Sequence, residues 1–144
     1  GFVTWHVTTA AVAYALGDTA TMARELDHLA HRSFAFVEDH TYTAVATIVA
    51  RPILALHDRA AASALYPRLL PLSGTMTWNG LSTHGPVDAG LACLAAVLGD
   101  DAAVRRHVGT SRELVERLGA PHLLWPELGE LAPGSQERDI GPGT

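Results

Sequence analysis

The chain contains no lysine, so its ten basic residues are all arginine. This absence excludes lysine Schiff-base chemistry and the phosphate-binding lysine of a P-loop. Charged residues are also scarce at 17%, against 48% hydrophobic residues, a balance typical of a globular domain rather than a disordered chain. Nucleic-acid binding requires a positively charged surface, whereas this chain has a net charge of −5, so we expect no direct nucleic-acid contact.

Cysteine and long apolar runs are equally scarce. Cys93 is the only cysteine, which excludes an intrachain disulfide, and its apolar neighbours predict a buried side chain. No apolar run reaches the roughly 18–20 residues of a membrane span, and no secretory signal is visible. We therefore expect a cytoplasmic protein without membrane contact. The sequence opens at Gly1 inside a helical pattern without an initiator Met, so we expect a piece of a longer chain.

A short phrase ending in aspartate occurs three times, at residues 15–18, 55–58 and 97–100, and its aspartates lie 40 and then 42 residues apart. Each copy ends one helical pattern and opens the next. Self-similarity at about 40 residues is typical of stacked helical hairpins. We therefore predict an all-α fold, with antiparallel hairpins stacked as a tetratricopeptide-like solenoid of about three repeats plus a terminal helix. The residue predicted to cap the second helix is Asp18 or Thr19 in the first hairpin, Asp58 in the second, and Asp100 or Asp101 in the third.

Apolar spacing and helix-ending residues set the boundaries. The hairpins are predicted over 3–33, 41–70 and 86–118, with a terminal helix over 122–132. Together they form one helical-repeat domain over 1–132, and the glycine- and proline-rich tail 133–144 is expected to be flexible. Pro52 predicts a kink near residues 48–52, because proline lacks the N–H that an α-helix requires.

The same spacing predicts the buried face of each helix. The inward stripes of the three opening helices are Trp5, Thr9, Val12 and Leu16, then Val45, Val49, Pro52 and Leu56, then Val87, Leu91, Leu94 and Leu98. Those of the second and sixth helices are Met22, Leu26, Leu29 and Ser33, then Val104, Val108, Ser111, Val115 and Leu118. His107 is assigned to the exposed face of the sixth helix.

The connection over residues 72–85 is unusually long for a compact domain and carries turn chemistry around Asn79 and Gly80. Loops carry function more often than packed elements do, so Trp78, Asn79 and His84 are candidates for a ligand or partner surface. For Trp78, the alternative is a side chain that folds back over the hairpin interface.

Arg105 and Arg106 form a second candidate surface. With His107 and Arg112 they could make a local anion-binding face, and the alternative is an ordinary exposed polar face.

The eight histidines raise the question of a metal site. Glu25, His28 and His31 follow an E-x-x-H-x-x-H pattern, but its two ends point about 120° apart on an ideal helix. One helix therefore supplies at most two ligands. We predict no metal site and no cofactor, with Glu25 and His28 as the weak candidates.

One part of the chain resembles a known protein family. The residues that carry the resemblance are Leu65-Tyr66, Leu69-Leu70-Pro71, Gly85-Pro86-Val87, Leu91, Leu94-Ala95, Leu98-Gly99 and Leu118-Gly119-Ala120-Pro121. This pattern is similar to the tetratricopeptide-like region near the C-terminus of large bacterial regulators, which join an ATPase module to an adenylate/guanylate cyclase or LuxR-type DNA-binding domain. The alanine-rich, lysine-free composition is typical of GC-rich genomes and favours an actinobacterial source.

No cyclase, ATPase or DNA-binding motif occurs in the sequence, so the resemblance implies a scaffold without those activities. We expect a non-catalytic scaffold of a bacterial signalling or transcriptional regulator that binds a protein segment or a neighbouring domain of its own polypeptide. One alternative is a small-molecule sensor with its ligand near the 72–85 loop. Another is a small helical metal-binding protein or enzyme that uses the histidines.

Overall fold

A computed structural model describes residues 2–36 and 39–132, and all regular elements within these ranges are helical, which confirms the all-α prediction. The α-helices are α1 Phe2–Leu16, α2 Thr19–Ala30, α3 Tyr42–Ile48, α4 Ala50–Leu56, α5 Arg59–Leu69, α6 Val87–Leu98, α7 Asp101–Arg117 and α8 Glu127–Leu131. No helix in the described ranges is long and apolar enough to cross a membrane. The predicted flexible tail, 133–144, lies outside the described residues.

The three repeated phrases fold into the same turn. Gly17, His57 and Gly99 all adopt the left-handed conformation, with φ of +69°, +50° and +79°. The aspartate that follows each of them donates its N–H to a carbonyl five residues earlier, at 2.9–3.1 Å. Its carboxylate then accepts the N–H three residues later, at 2.9–3.0 Å. Each aspartate thus helps to end one helix and caps the next, as predicted.

These turns define hairpin 1 (α1 and α2), hairpin 2 (α3, α4 and α5) and hairpin 3 (α6 and α7). The predicted opening helix of hairpin 2 is broken at Val49, between α3 and α4. Pro52 has no N–H to donate to the carbonyl of Ile48, so the regular hydrogen bonding is interrupted one turn earlier. The predicted kink is therefore confirmed.

Helix α6 lies at the centre of the fold. Every side chain from Val87 to Ala95 is buried, and the helix packs against α3, α4, α5, α7 and α8. The approach to α3 is close at Gly90, where an added Cβ would lie 2.8 Å from Thr47 Cγ2 and 3.1 Å from its carbonyl oxygen. Glycine at this position therefore sets the distance between hairpins 2 and 3.

The main contacts between hairpins run in chain order. Helix α4 packs against α1 and α2 of the hairpin before it, and α6 packs against all three helices of hairpin 2. Helix α8 packs on α6.

The predicted buried face of α1 is wrong. Trp5, Val12 and Leu16 are exposed, and the buried positions of this helix are His6, Val7, Ala10 and Ala13. The apolar residues spread around most of α1, so spacing alone does not select a face. Packing against α2 and α4 makes that selection instead.

Three smaller assignments are also wrong. Ser33 and Leu118 are exposed, because both lie beyond the last residue of their helices. His107 was predicted to be exposed, but only 1% of its surface is accessible. The reason lies in its buried partner Asp88, which the sequence does not place beside it. The predicted stripes of α3, α4 and α6 are buried or half-buried.

Candidate binding groove

A groove of about 640 Å³ lies between α1 and α3. Its lining comes from α1, from α3 and its flanks, from the 72–85 loop and from the segment before α8. The lining residues are Thr4, Val7, Thr8, Ala11, Val12, Ala15, Thr41, Ala44, Val45, Ile48, Arg51, Asn79, His84 and Trp125. Small side chains dominate the α1 wall, which leaves space between the helices.

The 72–85 loop forms an ordered end wall of this groove. Thr77 donates its backbone N–H and its hydroxyl to the Gly85 carbonyl, both at 2.9 Å. The Asn79 side-chain oxygen accepts the N–H groups of Leu81 and Ser82 at 3.0 and 2.8 Å, which closes the turn. The predicted turn at Asn79 and Gly80 is therefore confirmed, and its hydrogen bonds stabilise the loop.

Neighbouring elements hold the loop in position. The Trp78 N–H donates to Thr43 Oγ1 at 3.0 Å, which ties the loop to α3. On the other side, Trp125 Nε1 donates to the His84 carbonyl at 2.7 Å. An added Cβ on Gly85 would lie 2.6 Å from the Leu123 carbonyl oxygen, so only glycine fits this contact. These contacts bring residues distant in the sequence to one end of the groove.

The structure separates the residues predicted as a ligand or partner surface. Asn79 and His84 line the groove together, and Asn79 Nδ2 lies 3.2 Å from His84 Nε2. The Trp78 side chain is half-exposed and is not part of the lining. Arg105 and Arg106 are exposed on α7, outside the groove.

Sequence reasoning missed the polar cluster beside the groove. The Arg51 guanidinium lies 4.1 Å from the centre of the Trp125 ring, and Arg51 Nε lies 3.1 Å from Glu127 Oε1. The Tyr14 hydroxyl donates to the same Glu127 oxygen at 2.7 Å. Burial, helped by the Glu127 carboxylate, raises the pKa of Tyr14 to about 12. No local pattern could reveal this cluster, because its members come from α1, α4 and the start of α8.

Comparison with known proteins does not assign the chain to a family. No family model, curated protein or solved structure matches it. The resemblance to the helical region of bacterial regulators therefore stays a prediction.

Two buried histidine–carboxylate pairs lie inside the hairpins. His6 Nδ1 lies 2.6 Å from Glu25 Oε2 in hairpin 1, and His107 Nδ1 lies 2.7 Å from Asp88 Oδ1 in hairpin 3. Both pairs join residues 19 apart, at the same two positions relative to the aspartate of their turn. The two hairpins carry the same interaction with histidine and carboxylate exchanged between the helices.

The pair in hairpin 3 belongs to a larger network. The Asp88 carboxylate also accepts Ser73 Oγ–H at 2.7 Å and the Gly74 N–H at 2.6 Å. A carboxylate only accepts, so His107 Nδ1 carries a hydrogen; in the neutral ring, Nε2 then accepts the Tyr66 hydroxyl at 2.9 Å. Burial raises the pKa of Asp88, but these hydrogen bonds outweigh it and hold the pKa below its usual value. Asp88 and His107 are buried at the centre of this network, which ties the exposed start of the loop to α6 and α7.

The pair in hairpin 1 includes one of the two weak metal candidates. The hydrogen bond from His6 lowers the pKa of Glu25, against an opposing effect of burial, and Arg24 Nε adds a contact at 3.2 Å. His28 is exposed, with its ring centre 4.9 Å from that of His6. Across residues 2–36 and 39–132, no group of three histidine, cysteine or acidic side chains is arranged to hold a metal ion.

Proposed function

We propose that this chain is a non-catalytic binding module built from tetratricopeptide-like stacked hairpins, and that the groove between α1 and α3 holds a segment of a protein partner. The groove carries the proposal, because it lies between the opening helices of successive hairpins, where stacked helical repeats bind their partners. That segment belongs to another protein or to a neighbouring domain of the same polypeptide.

Two further observations support the stacked-hairpin part of the proposal. The same left-handed turn and aspartate cap occur in all three hairpins. The main contacts also pass from each hairpin to the next one in the chain. Both are expected of an array in which each repeat buries its apolar face against its neighbour.

The chemistry of the groove suits an extended peptide. Its walls are apolar or carry threonine hydroxyls, and its polar groups are concentrated at the end formed by Asn79, His84 and Arg51. Apolar side chains of a peptide would fill the space between the helices. Its backbone carbonyls would accept hydrogen bonds from Asn79 Nδ2 and the threonine hydroxyls.

The test is a peptide selection with a groove-blocking variant. Random 12-residue peptides displayed on phage are selected on the intact chain, and binding is then compared with Ala15→Trp, which fills the groove. Ala23→Trp on the exposed face of α2 is the matched control. We expect Ala15→Trp to weaken binding at least tenfold and Ala23→Trp to leave it unchanged. Selected peptides that bind both variants equally well would refute the groove as the binding site.

A small-molecule sensor is the second candidate, and the size of the groove favours it. A volume of about 640 Å³ lies within the range of about 300–1,000 Å³ usual for small-molecule sites. Trp125 lines the groove and reports on it in a Trp5→Phe/Trp78→Phe background, where it is the only tryptophan. A saturable fluorescence change with one compound of a metabolite library, lost in Ala15→Trp, would favour the sensor over the peptide-binding module.

The placement within a cytoplasmic bacterial regulator depends on the sequence resemblance alone. The sequence of the complete gene tests it: an ATPase, cyclase or LuxR-type DNA-binding domain in the same reading frame is the expected result. Its absence would leave the groove proposal standing and remove the regulator.

A further inference from the structure

An unusual apolar stripe lies on the outer side of α1. Trp5, Val12 and Leu16 are 68%, 53% and 77% exposed, although all three are large and apolar. They lie on one side of α1, with Thr9 between Trp5 and Val12. Large apolar side chains that are exposed together mark a site of interaction, so we expect a partner to cover this surface.

The equivalent positions of the other hairpins are covered. Counting back from the aspartate of each turn, Trp5 corresponds to Val45 and Val87, and Val12 corresponds to Pro52 and Leu94. These four residues of hairpins 2 and 3 are all buried. The equivalents of Leu16, which are Leu56 and Leu98, are half-buried. The same positions are therefore apolar in all three hairpins and remain open in hairpin 1 alone.

The helices that carry these positions in hairpins 2 and 3 pack against the preceding hairpin. Helix α4 packs against α1 and α2, and α6 packs against α3, α4 and α5. In both cases the opening helix of one hairpin meets the helices of the hairpin before it. The stripe on α1 lies at the corresponding positions of the opening helix of hairpin 1, so it continues this established interface by one step.

We propose that the stripe formed by Trp5, Val12 and Leu16 is the docking face for a further helical hairpin of the same repeat, carried ahead of α1 in the same polypeptide. That hairpin stacks on α1 as hairpin 1 stacks on α4. It presents an apolar face like that of α2, where Leu26 and Leu29 are buried. The inference depends on the stacked-hairpin part of the proposed function, and the stripe shares one residue, Val12, with the lining of the groove.

The experiment extends the chain by one period. A copy of residues 1–40 is placed directly before Gly1, because 40 residues separate the first two turn aspartates. Trp5 of the added copy is changed to Ser and Trp78 to Phe, which leaves the original Trp5 as the main exposed tryptophan. Acrylamide quenching of tryptophan fluorescence is compared between the extended chain and the 144-residue chain carrying Trp78→Phe. We expect at least a threefold lower quenching constant for Trp5, with slower hydrogen exchange in α1.

Leu16→Glu provides the matched control. This side chain is mostly exposed, so the change leaves the 144-residue chain folded, but it places a charge in the new interface and restores the quenching of Trp5 in the extended chain. Unchanged quenching and hydrogen exchange after the extension would overturn the proposal. So would a concentration-dependent dimer of the 144-residue chain, seen by sedimentation and abolished by Leu16→Glu, because the stripe would then bind a second copy. Peptide binding is measured separately on the 144-residue chain and its Ala15→Trp variant, where no added hairpin covers Val12, so failure of the stripe is distinguished from failure of the groove.

Discussion

The buried Asp88–His107 pair gives the sharpest test of how the hairpins are held together. Hairpin 2 carries Ala46 and Leu65 at the two corresponding positions, and both are buried. A pair of apolar residues can therefore occupy these positions in a hairpin of this fold. We therefore compare Asp88→Ala, His107→Leu and the double variant, which together convert the hairpin 3 pair into the hairpin 2 pair.

The expected magnitudes follow from the contacts. Asp88→Ala removes three hydrogen bonds to one carboxylate, from Ser73, Gly74 and His107 at 2.6–2.7 Å, and leaves the buried His107 without this acceptor. Removal of one partner from such a buried pair costs about 3–5 kcal/mol. His107→Leu leaves the carboxylate two of its three donors and should cost less, about 2–3 kcal/mol.

The double variant should be destabilised by at least about 1 kcal/mol less than the sum of the single variants, since residues in contact do not act additively. It should not recover fully, because Ser73 and Gly74 still lose their acceptor. Urea unfolding followed by far-UV circular dichroism gives the free energies, with Glu113→Ala on the exposed face of α7 as the control, expected within about 0.5 kcal/mol of the parent. Strictly additive losses, or a loss below about 1 kcal/mol for Asp88→Ala, would show that the pair does not hold α6 to α7 as argued.

Three further predictions concern stability. Gly90→Ala should lower the free energy of urea unfolding by about 1–3 kcal/mol, because its methyl group would lie 2.8 Å from Thr47 of α3. Gly109→Ala, which has no atom of another element within 4 Å of the added Cβ, should raise it by about 0.5–1 kcal/mol. Equal effects of the two substitutions would contradict the close packing at Gly90. The pKa values of Glu25 and Asp88 are lowered by folding, so both carboxylates stabilise the fold above the unfolded-state pKa of about 4. This stabilisation is lost as the pH falls through their folded-state pKa values. The free energy of unfolding, measured from pH 6 to pH 2, should therefore fall less in Glu25→Gln than in the parent chain. His57→Gly should raise the melting temperature, with a gain of up to about 1 kcal/mol, because φ is +50° at this residue; an unchanged or lower melting temperature would mean that contacts of the His57 side chain matter more than its backbone strain.

Local signals were sufficient for the helical content and for the three capped turns. The repeated aspartates, the left-handed turn residues and Pro52 act through hydrogen bonds within a few residues, so their effects can be deduced from the sequence. The turn at Asn79 and Gly80 was predictable for the same reason. The same loop brings two of its three candidate residues, Asn79 and His84, beside one another.

Contacts between distant segments were not accessible in this way. The groove joins α1 and α3 to Trp125, and no local spacing indicates that Arg51 lies over that ring. The partnership of Asp88 with His107 also escaped, since a polar residue on a helix appears exposed until a buried partner is identified. Only after the fold was known did the matching positions of His6 and Glu25 become recognisable.

The sequence by itself determined an all-helical chain with three capped turns about 40 residues apart, because helix propensity, capping and proline act over one or two turns of backbone. The tertiary structure alone decided which face of each helix is buried. Helix α1 illustrates the difference: Trp5, Val12 and Leu16 have the spacing of a buried stripe, yet α2 and α4 cover other sides of the helix. Burial of a helix face depends on which elements pack against it. A periodic apolar pattern indicates a face suited to burial and does not identify the element that covers it.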